Sequence, residues 1–142
     1  MNKVFAAALK EYGQRGIVGA KHNARILKYF RAPGFKQIQD DETAWCAAFV
    51  NFCFWTCGLS GSGSLMARSF LKFGKRTLAP QLGDLVVFWR ISKDSSYGHV
   101  AFFVTETETS VFVLGGNQSN AVNIAEFPKS QVLEYRTFSD KK

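Results

Sequence analysis

Apolar residues in the first half of the chain recur at helical spacing. Val4, Ala7, Ala8 and Tyr12 fall near one face of a first helix, which Gly13 and Gly16 close. A second helix is predicted from about Asn23 through Ile26, Leu27 and Phe30, with Asn23 as its N-cap and Pro33-Gly34 as its stop. The polar stretch KQIQDDET then leads into ETAWCAAFVNFCFWTCG, where only Asn51 and Thr56 are clearly polar between Ala44 and Cys57. A helix that is apolar nearly all round belongs in the middle of a domain. Thr43 or Asp41 is its expected cap and Gly58 its end. After the turn-rich GLSGSGS, the segment LMARSFLKF reads as a short amphipathic helix ended by Gly74.

From Leu82 onward the pattern changes. DLVVFWR, HVAFFVTE, SVFVLGGN, AVNIAEF and SQVLEYRTF are rich in Val, Phe and Ile and are separated by turn residues, as short antiparallel strands are. Helices followed by a run of strands predict an α+β domain, with helices packed on an antiparallel sheet of about five strands. The 142 residues suffice for one core and are too few for two, so a single domain over residues 1–142 is expected. No apolar run approaches the ~20 residues of a membrane span.

Composition narrows the class. With 46% apolar residues, 14 Phe and 3 Trp, the chain is neither disordered nor fibrous. The opening MNKVFAAALKEYGQR has an apolar stretch of about six residues, short of the ~7–15 of a secretory signal core, and is read as the first helix. Synthesis in the cytoplasm without a signal peptide is the expectation. A formal net charge of +7 favours acidic partners, including nucleic acid, anionic lipid and bacterial wall polymers. The basic residues are scattered, without the block of a nucleic-acid-binding arm.

Three cysteines lie on the apolar helix, too few and too odd in number for a disulfide framework. Helical rise puts Cys53 ~10 Å and Cys57 ~16 Å beyond Cys46, so one metal ion cannot bind all three. Zinc-type Cys-x2-Cys spacing and the Cys-x-x-Cys redox motif are both absent. Cys53 and Cys57 read as small buried hydrophobes. Cys46 differs by position: the N–H groups and the dipole of a helix start favour a thiolate, although the same position also suits a core residue. The chain has two histidines. His99, in SSYGHVAFFV, stands where a loop enters an apolar strand, either exposed at the sheet end or buried against a partner. Paired with Cys46 it would make a Cys-His hydrolase. A third polar group commonly orients such an imidazole; after LGG, Asn117 is the first choice and Gln118 the second. His22 is read as non-catalytic.

The ordered blocks GIVGAKHNARILKYF, DDETAWCAAFVNFCFWTCGL, ARSFLKFG, GDLVVF, GHVAFFV, LGGNQSNAVNIAEFP and VLEYR together resemble the papain-like cell-wall peptidases of the NlpC and CHAP groups. The closest likeness is to a small subfamily of endolysin-type proteins of phages and bacteria. The resemblance spans nearly the whole chain. It departs where GIVG stands in place of an acidic residue followed by Ile and Pro, and where Ala24 replaces a frequent Pro. It implies a nucleophile at Cys46, a general base at His99 and a third member at Asn117, on a central helix packed against an antiparallel sheet. Asp40, Asp41, Trp45 and Gln118 become candidates for shaping the substrate or oxyanion site. The implied reaction is hydrolysis of amide bonds in peptidoglycan, at the muramoyl–alanine bond or within the stem or cross-link, by a monomer without metal or cofactor. The work would be done in the periplasm or wall, by a phage-type endolysin after holin-type release or by a secreted antibacterial effector with an immunity protein as partner. Nucleic acid and membrane insertion are not implied. Acyl transfer or another amide hydrolysis on the same Cys-His scaffold, or non-enzymatic binding by a basic module, are the alternatives.

Overall fold

A computed structural model describes residues 1–15, 24–35 and 45–141. Three α-helices, α1 (Lys3–Leu9), α2 (Ala24–Arg31) and α3 (Cys46–Thr56), precede a 3-10 helix (Ala67–Lys72). Six strands follow: β1 (Lys75–Thr77), β2 (Leu85–Trp89), β3 (Gly98–Glu106), β4 (Ser110–Gly115), β5 (Asn123–Pro128) and β6 (Val132–Thr137). They form one antiparallel sheet in the order β1-β6-β2-β3-β4-β5. The α+β expectation holds, with one strand more than expected. The extra strand, β1, is the polar tripeptide Lys-Arg-Thr at an edge, which carries no hydrophobic alternation to reveal it.

Tyr12, expected on the buried face of the first helix, lies beyond its end and is exposed, because α1 stops at Leu9. Gly16, His22, the expected cap Asn23, Asp40, Asp41 and Thr43 lie outside the described residues. At the C-terminus of α3, Leu59 N–H reaches back to Phe54 O at 3.0 Å across Gly58. Asn51, one of the two polar residues of α3, is buried and satisfied: its amide nitrogen donates to Ala47 O and Ser64 O, and Gly63 N–H donates to its Oδ1. It thereby ties the GLSGSGS loop to the helix.

The continuous apolar runs of β2 and β3 arise because the sheet is covered on both faces. Leu85, Val87, Val100, Phe102 and Leu114 join the helices in the main core. Val86, Phe88, Ala101, Phe103, Val111 and Val113 form a second cluster on the other face, with Phe127, Val132 and Tyr135 packed against it. Among the described residues no helix covers that second face; the sheet covers itself. Strands about 4.8 Å apart would put β5 roughly 14 Å from β2 on a flat sheet, yet Phe127 and Phe88 have ring centroids 4.8 Å apart. The connection from β5 to β6 is only the turn Lys129–Gln131. The sheet is therefore rolled into an open barrel around the second cluster. Among the described residues, no helix is long and apolar enough to cross a membrane.

The helical layer is held by Glu11, just past α1 and only 6% exposed. Its carboxylate accepts from Arg25 Nε at 2.6 Å, Arg25 Nη2 at 2.7 Å and Tyr29 Oη–H at 2.8 Å. Tyr29 in turn packs against Trp45, Phe49 and Phe52. Burial pushes the Glu11 carboxyl up, but the hydrogen bonds from Arg25 and Tyr29 and the charges of Arg25 and Lys28 bring it below its usual 4.5. A folded-state value below the unfolded one adds stability that is present above pH 4.5 and lost as pH falls through the folded value. Glu11→Gln should lower unfolding free energy at pH 7 by about 1.5–3 kcal/mol. Urea denaturation from pH 7 to 3 should show the gap to wild type closing below pH 4.5.

Candidate active site

Among the described residues no side chain caps the start of α3: the N-cap residue is Trp45 rather than Asp41 or Thr43, and its side chain makes no capping hydrogen bond. The helix start thus leaves donors for the first helical residue, Cys46. Its thiol, in a residue 5% exposed, lies near the backbone N–H groups of Ala47 and of Val100 on β3, whose polarity favours a thiolate. Val100 is within reach because the β3–β4 ladder ends at the Phe102–Leu114 pair. Beyond it the thiol occupies the neighbourhood of β3.

His99 is the second residue of β3, opposite Phe88 in register and 6% exposed. Its ring packs against the rings of Phe88 at 5.9 Å and Phe127 at 5.3 Å, which touch each other as well, at the mouth of the barrel. On one side the imidazole lies close enough to the Cys46 thiol for each group to shift the other's charge. On the other, Nε2 meets Gln118 Oε1 at 2.9 Å. The Gln118 amide can face only one way: its nitrogen donates to Val113 O at 3.3 Å, Asn123 O at 2.8 Å and Asn123 Oδ1 at 3.0 Å. Oε1 is therefore the atom turned to the ring, so Nε2 carries the proton and Nδ1 faces the thiol. Asn123 closes the brace by donating from Nδ2 to Gln118 O at 3.0 Å.

Asn117, the first choice for orienting the imidazole, does not do so; Gln118 does. The chain passes through left-handed conformations at Asn117 (φ 59), Ser119 (φ 51) and Asn120 (φ 58). This reversal sends Asn117 to the wall of a cleft and swings the next, longer side chain under the ring. Two other assignments also change. Trp45 is fully buried and has no surface to offer a substrate; it packs on Tyr29 and donates from Nε1 to Asn120 Oδ1 at 3.3 Å. The Gln118 amide nitrogen, spent on three acceptors, is not free to stabilise an oxyanion.

The LGG before Asn117 has a steric reason. A Cβ on Gly116 would sit 2.8 Å from both Phe49 Cβ and Trp45 Cζ3, and one on Gly115 would sit 2.6 Å from Gln118 Oε1. Only bare backbone lets the start of α3 and the Gln118 brace close on the end of β4. Arg68, in the 3-10 helix, gave no sign in the sequence. It donates to Tyr97 O and Lys93 O at 2.8 Å and to Ser92 O at 2.9 Å, which clamps the loop entering Gly98-His99.

The electrostatics distinguish the cysteines. Burial pushes the Cys46 thiol up, but the charge and hydrogen bond of His99 and the N–H groups of Val100 and Ala47 outweigh it, and the result lies below the usual 9.0. Burial pushes His99 down, and here too Cys46 and Gln118 outweigh burial and the opposing Arg90 charge, leaving it above 6.5. Both shifts run toward thiolate and imidazolium. Among the described residues Cys53 has no such partner, and burial drives it well above 9.0. Beside the imidazole lies a cleft of about 510 Å³ whose wall includes Arg90, Asn117, Asn120 and Glu126.

A family model for the CHAP domain matches residues 38–117, more than half of the chain. The span includes Cys46 and His99 and stops one residue short of Gln118. No curated protein matches the chain.

The thiolate of Cys46 should be visible chemically. With iodoacetamide at pH 7, peptide mapping should find Cys46 alkylated at least about tenfold faster than Cys53, and the Cys46 rate should titrate below pH 9.0. Equal rates would contradict the ion pair.

Proposed function

The chain belongs to the CHAP domain family, whose members are typically cysteine- and histidine-dependent hydrolases of peptidoglycan, and from that membership we propose that it is a cysteine peptidase or amidase cutting amide bonds in peptidoglycan. The single observation that carries the reading is the buried juxtaposition of the Cys46 thiol and the His99 imidazole, with Gln118 Oε1 holding the ring's Nε2 at 2.9 Å. Its members are polarised toward a thiolate nucleophile and a protonated acid.

In this reading Cys46 Sγ attacks the amide carbonyl carbon, and the oxyanion forms beside the backbone N–H groups at the uncapped start of α3. Nδ1–H of His99 then protonates the leaving nitrogen, the C–N bond breaks, and a thioester remains on Cys46. The now neutral imidazole takes a proton from water, whose oxygen attacks the thioester and releases a carboxylic acid. Thiolate and imidazolium are restored. Gln118 touches no reacting atom. It holds the ring tautomer and supports its charge, which makes it a positioning residue.

The target polymer lies outside the cytoplasm, in the periplasm or wall. The protein reaches it by holin-type release as an endolysin or by a secretion system as an effector countered by an immunity protein. The net charge of +7 suits an anionic wall and should make activity fall with salt.

Digestion of purified peptidoglycan, with mass spectrometry of the fragments, tests the activity and names the bond. Cys46→Ala and His99→Ala should each lose at least about a thousandfold in rate; undiminished digestion by either would refute the assignment. The rate should be bell-shaped in pH, because the thiolate forms above the lowered Cys46 value and the imidazolium persists below the raised His99 value. Its acid limb should fall below pH 9.0 and its alkaline limb above pH 6.5. Gln118→Ala should cost about tenfold in kcat and move the alkaline limb down, since the lost hydrogen bond supports the charged ring.

A further inference from the structure

The 510 Å³ cleft is lined by His99 and Gln118, while Cys46 is not among the described residues that form its wall. It lies on the imidazole's side of the pair. In amide cleavage by Cys46 and His99, the acyl half of the substrate becomes bound to sulfur, and the amine half leaves with a proton from the imidazole. A cleft that touches the imidazole and not the thiol suits the amine half.

Its charged lining is sparse: Arg90 at the end of β2 and Glu126 on β5, both exposed, among the amide side chains of Asn117, Asn120 and Gln131. The Arg90 guanidinium makes no hydrogen bond or ion pair among the described residues, while the Arg90 backbone is closely held. Its carbonyl accepts from Ser95 Oγ at 2.6 Å and Ser92 N–H at 2.8 Å, within the loop that Arg68 clamps. The next residue, Ile91, sits at φ 70, a conformation costly for a β-branched side chain and one that persists where surrounding contacts enforce it. An anchored backbone thus presents an unpaired guanidinium to the cleft, close enough for its charge to act on the His99 ring. A fork of this kind is matched by a carboxylate. One cation facing one anion does not suit a polyanion such as nucleic acid or a phosphate-rich polymer, but it does suit a peptide carrying isolated charges.

We propose that this cleft receives the amine side of the scissile amide and that Arg90 is a specificity-determining residue, pairing with a free carboxylate there. The enzyme then prefers stem peptides whose amine half is a free acid over those whose carboxyls are amidated. This rests on the peptidase reading for the identity of the ligand, and its test is a binding measurement that requires no turnover.

The probes are the stem tripeptide L-alanyl-γ-D-glutamyl-L-lysine as its free acid and as its carboxyl-amidated form, titrated by calorimetry or NMR into the full chain carrying Cys46→Ala. The free acid should bind about fivefold or more tightly than the amide at low salt. Adding Arg90→Gln should bring the ratio to near one, and Arg90→Lys should retain part of it. Equal affinity of the two forms, or a preference that survives Arg90→Gln, would overturn the assignment of Arg90. If the preference and its loss are both seen but the wild-type protein leaves peptidoglycan intact, the carboxylate site stands and the hydrolase reading fails. If peptidoglycan is cut but the probes bind alike, the reverse holds.

Discussion

A thiol and an imidazole, each in a residue only 5–6% exposed, lie close enough that the charge of either acts on the other. Burial by itself would disfavour charge on either group. Here each supplies the other's counter-charge, and the surroundings add donors to the sulfur and an acceptor to the ring. Burial still opposes both charges, but the attraction between the two, magnified by the same low dielectric, and the surrounding dipoles together outweigh it. Every other feature of the site serves to keep these two groups adjacent and unneutralised by anything else.

That requirement explains the packing around it. The thiol can lie near Val100 N–H because β4 leaves the ladder early, and β4 can leave and still pack because Gly115 and Gly116 present bare backbone to Gln118, Trp45 and Phe49. Trp45 serves the site from beneath. Its ring is clamped between Tyr29 and Gly116, and Tyr29 is in turn anchored to Glu11, so the ion-paired helical layer helps fix where α3 begins. On the opposite side the rolled sheet brings Phe127 across to Phe88, and the two rings hold the imidazole plane while its two nitrogens are addressed from either edge.

The parts of this arrangement that were legible beforehand are those expressed in local pattern. The all-apolar run around Cys46 placed α3 in the core, and Gly58 marked its end. The Val- and Phe-rich segments marked five of the six strands, while β1, a polar edge tripeptide, had no pattern to show. Cys46 and His99 were legible because a cysteine at a helix start and a histidine at a strand entrance each follow from element boundaries. The third member depended on conformation: one left-handed residue more or less decides whether Asn117 or Gln118 turns toward the ring, and Asn, Gln and Ser in a row do not disclose which. Trp45 was misjudged because adjacency to a nucleophile in sequence says nothing about which side of the helix a ring takes. Arg68 acts at long range through backbone carbonyls, and Asn123 acts through an amide brace formed inside a reversed loop, interactions for which a sequence carries no spacing rule.

The brace beneath Gln118 also bears on why the longer amide serves here. An asparagine on the strand end would bring a carbonyl oxygen to the ring with few contacts to fix its other end. Gln118, reaching back from within the reversed loop, has its amide nitrogen enclosed by Val113 and by both the carbonyl and side chain of Asn123. Flipping the amide would set its NH2 against the Nε2–H of the ring and would leave three acceptors facing an oxygen, so several hydrogen bonds oppose the wrong orientation. The proton on His99 is thereby assigned to Nε2 by a network of neutral amides. In the proposed hydrolysis Nδ1 is then the nitrogen that exchanges its proton with sulfur, leaving amine and water in succession. An ionised carboxylate in the same place would stabilise the imidazolium further and make it a weaker acid toward the leaving nitrogen; a neutral amide orients the ring while leaving that proton easier to give.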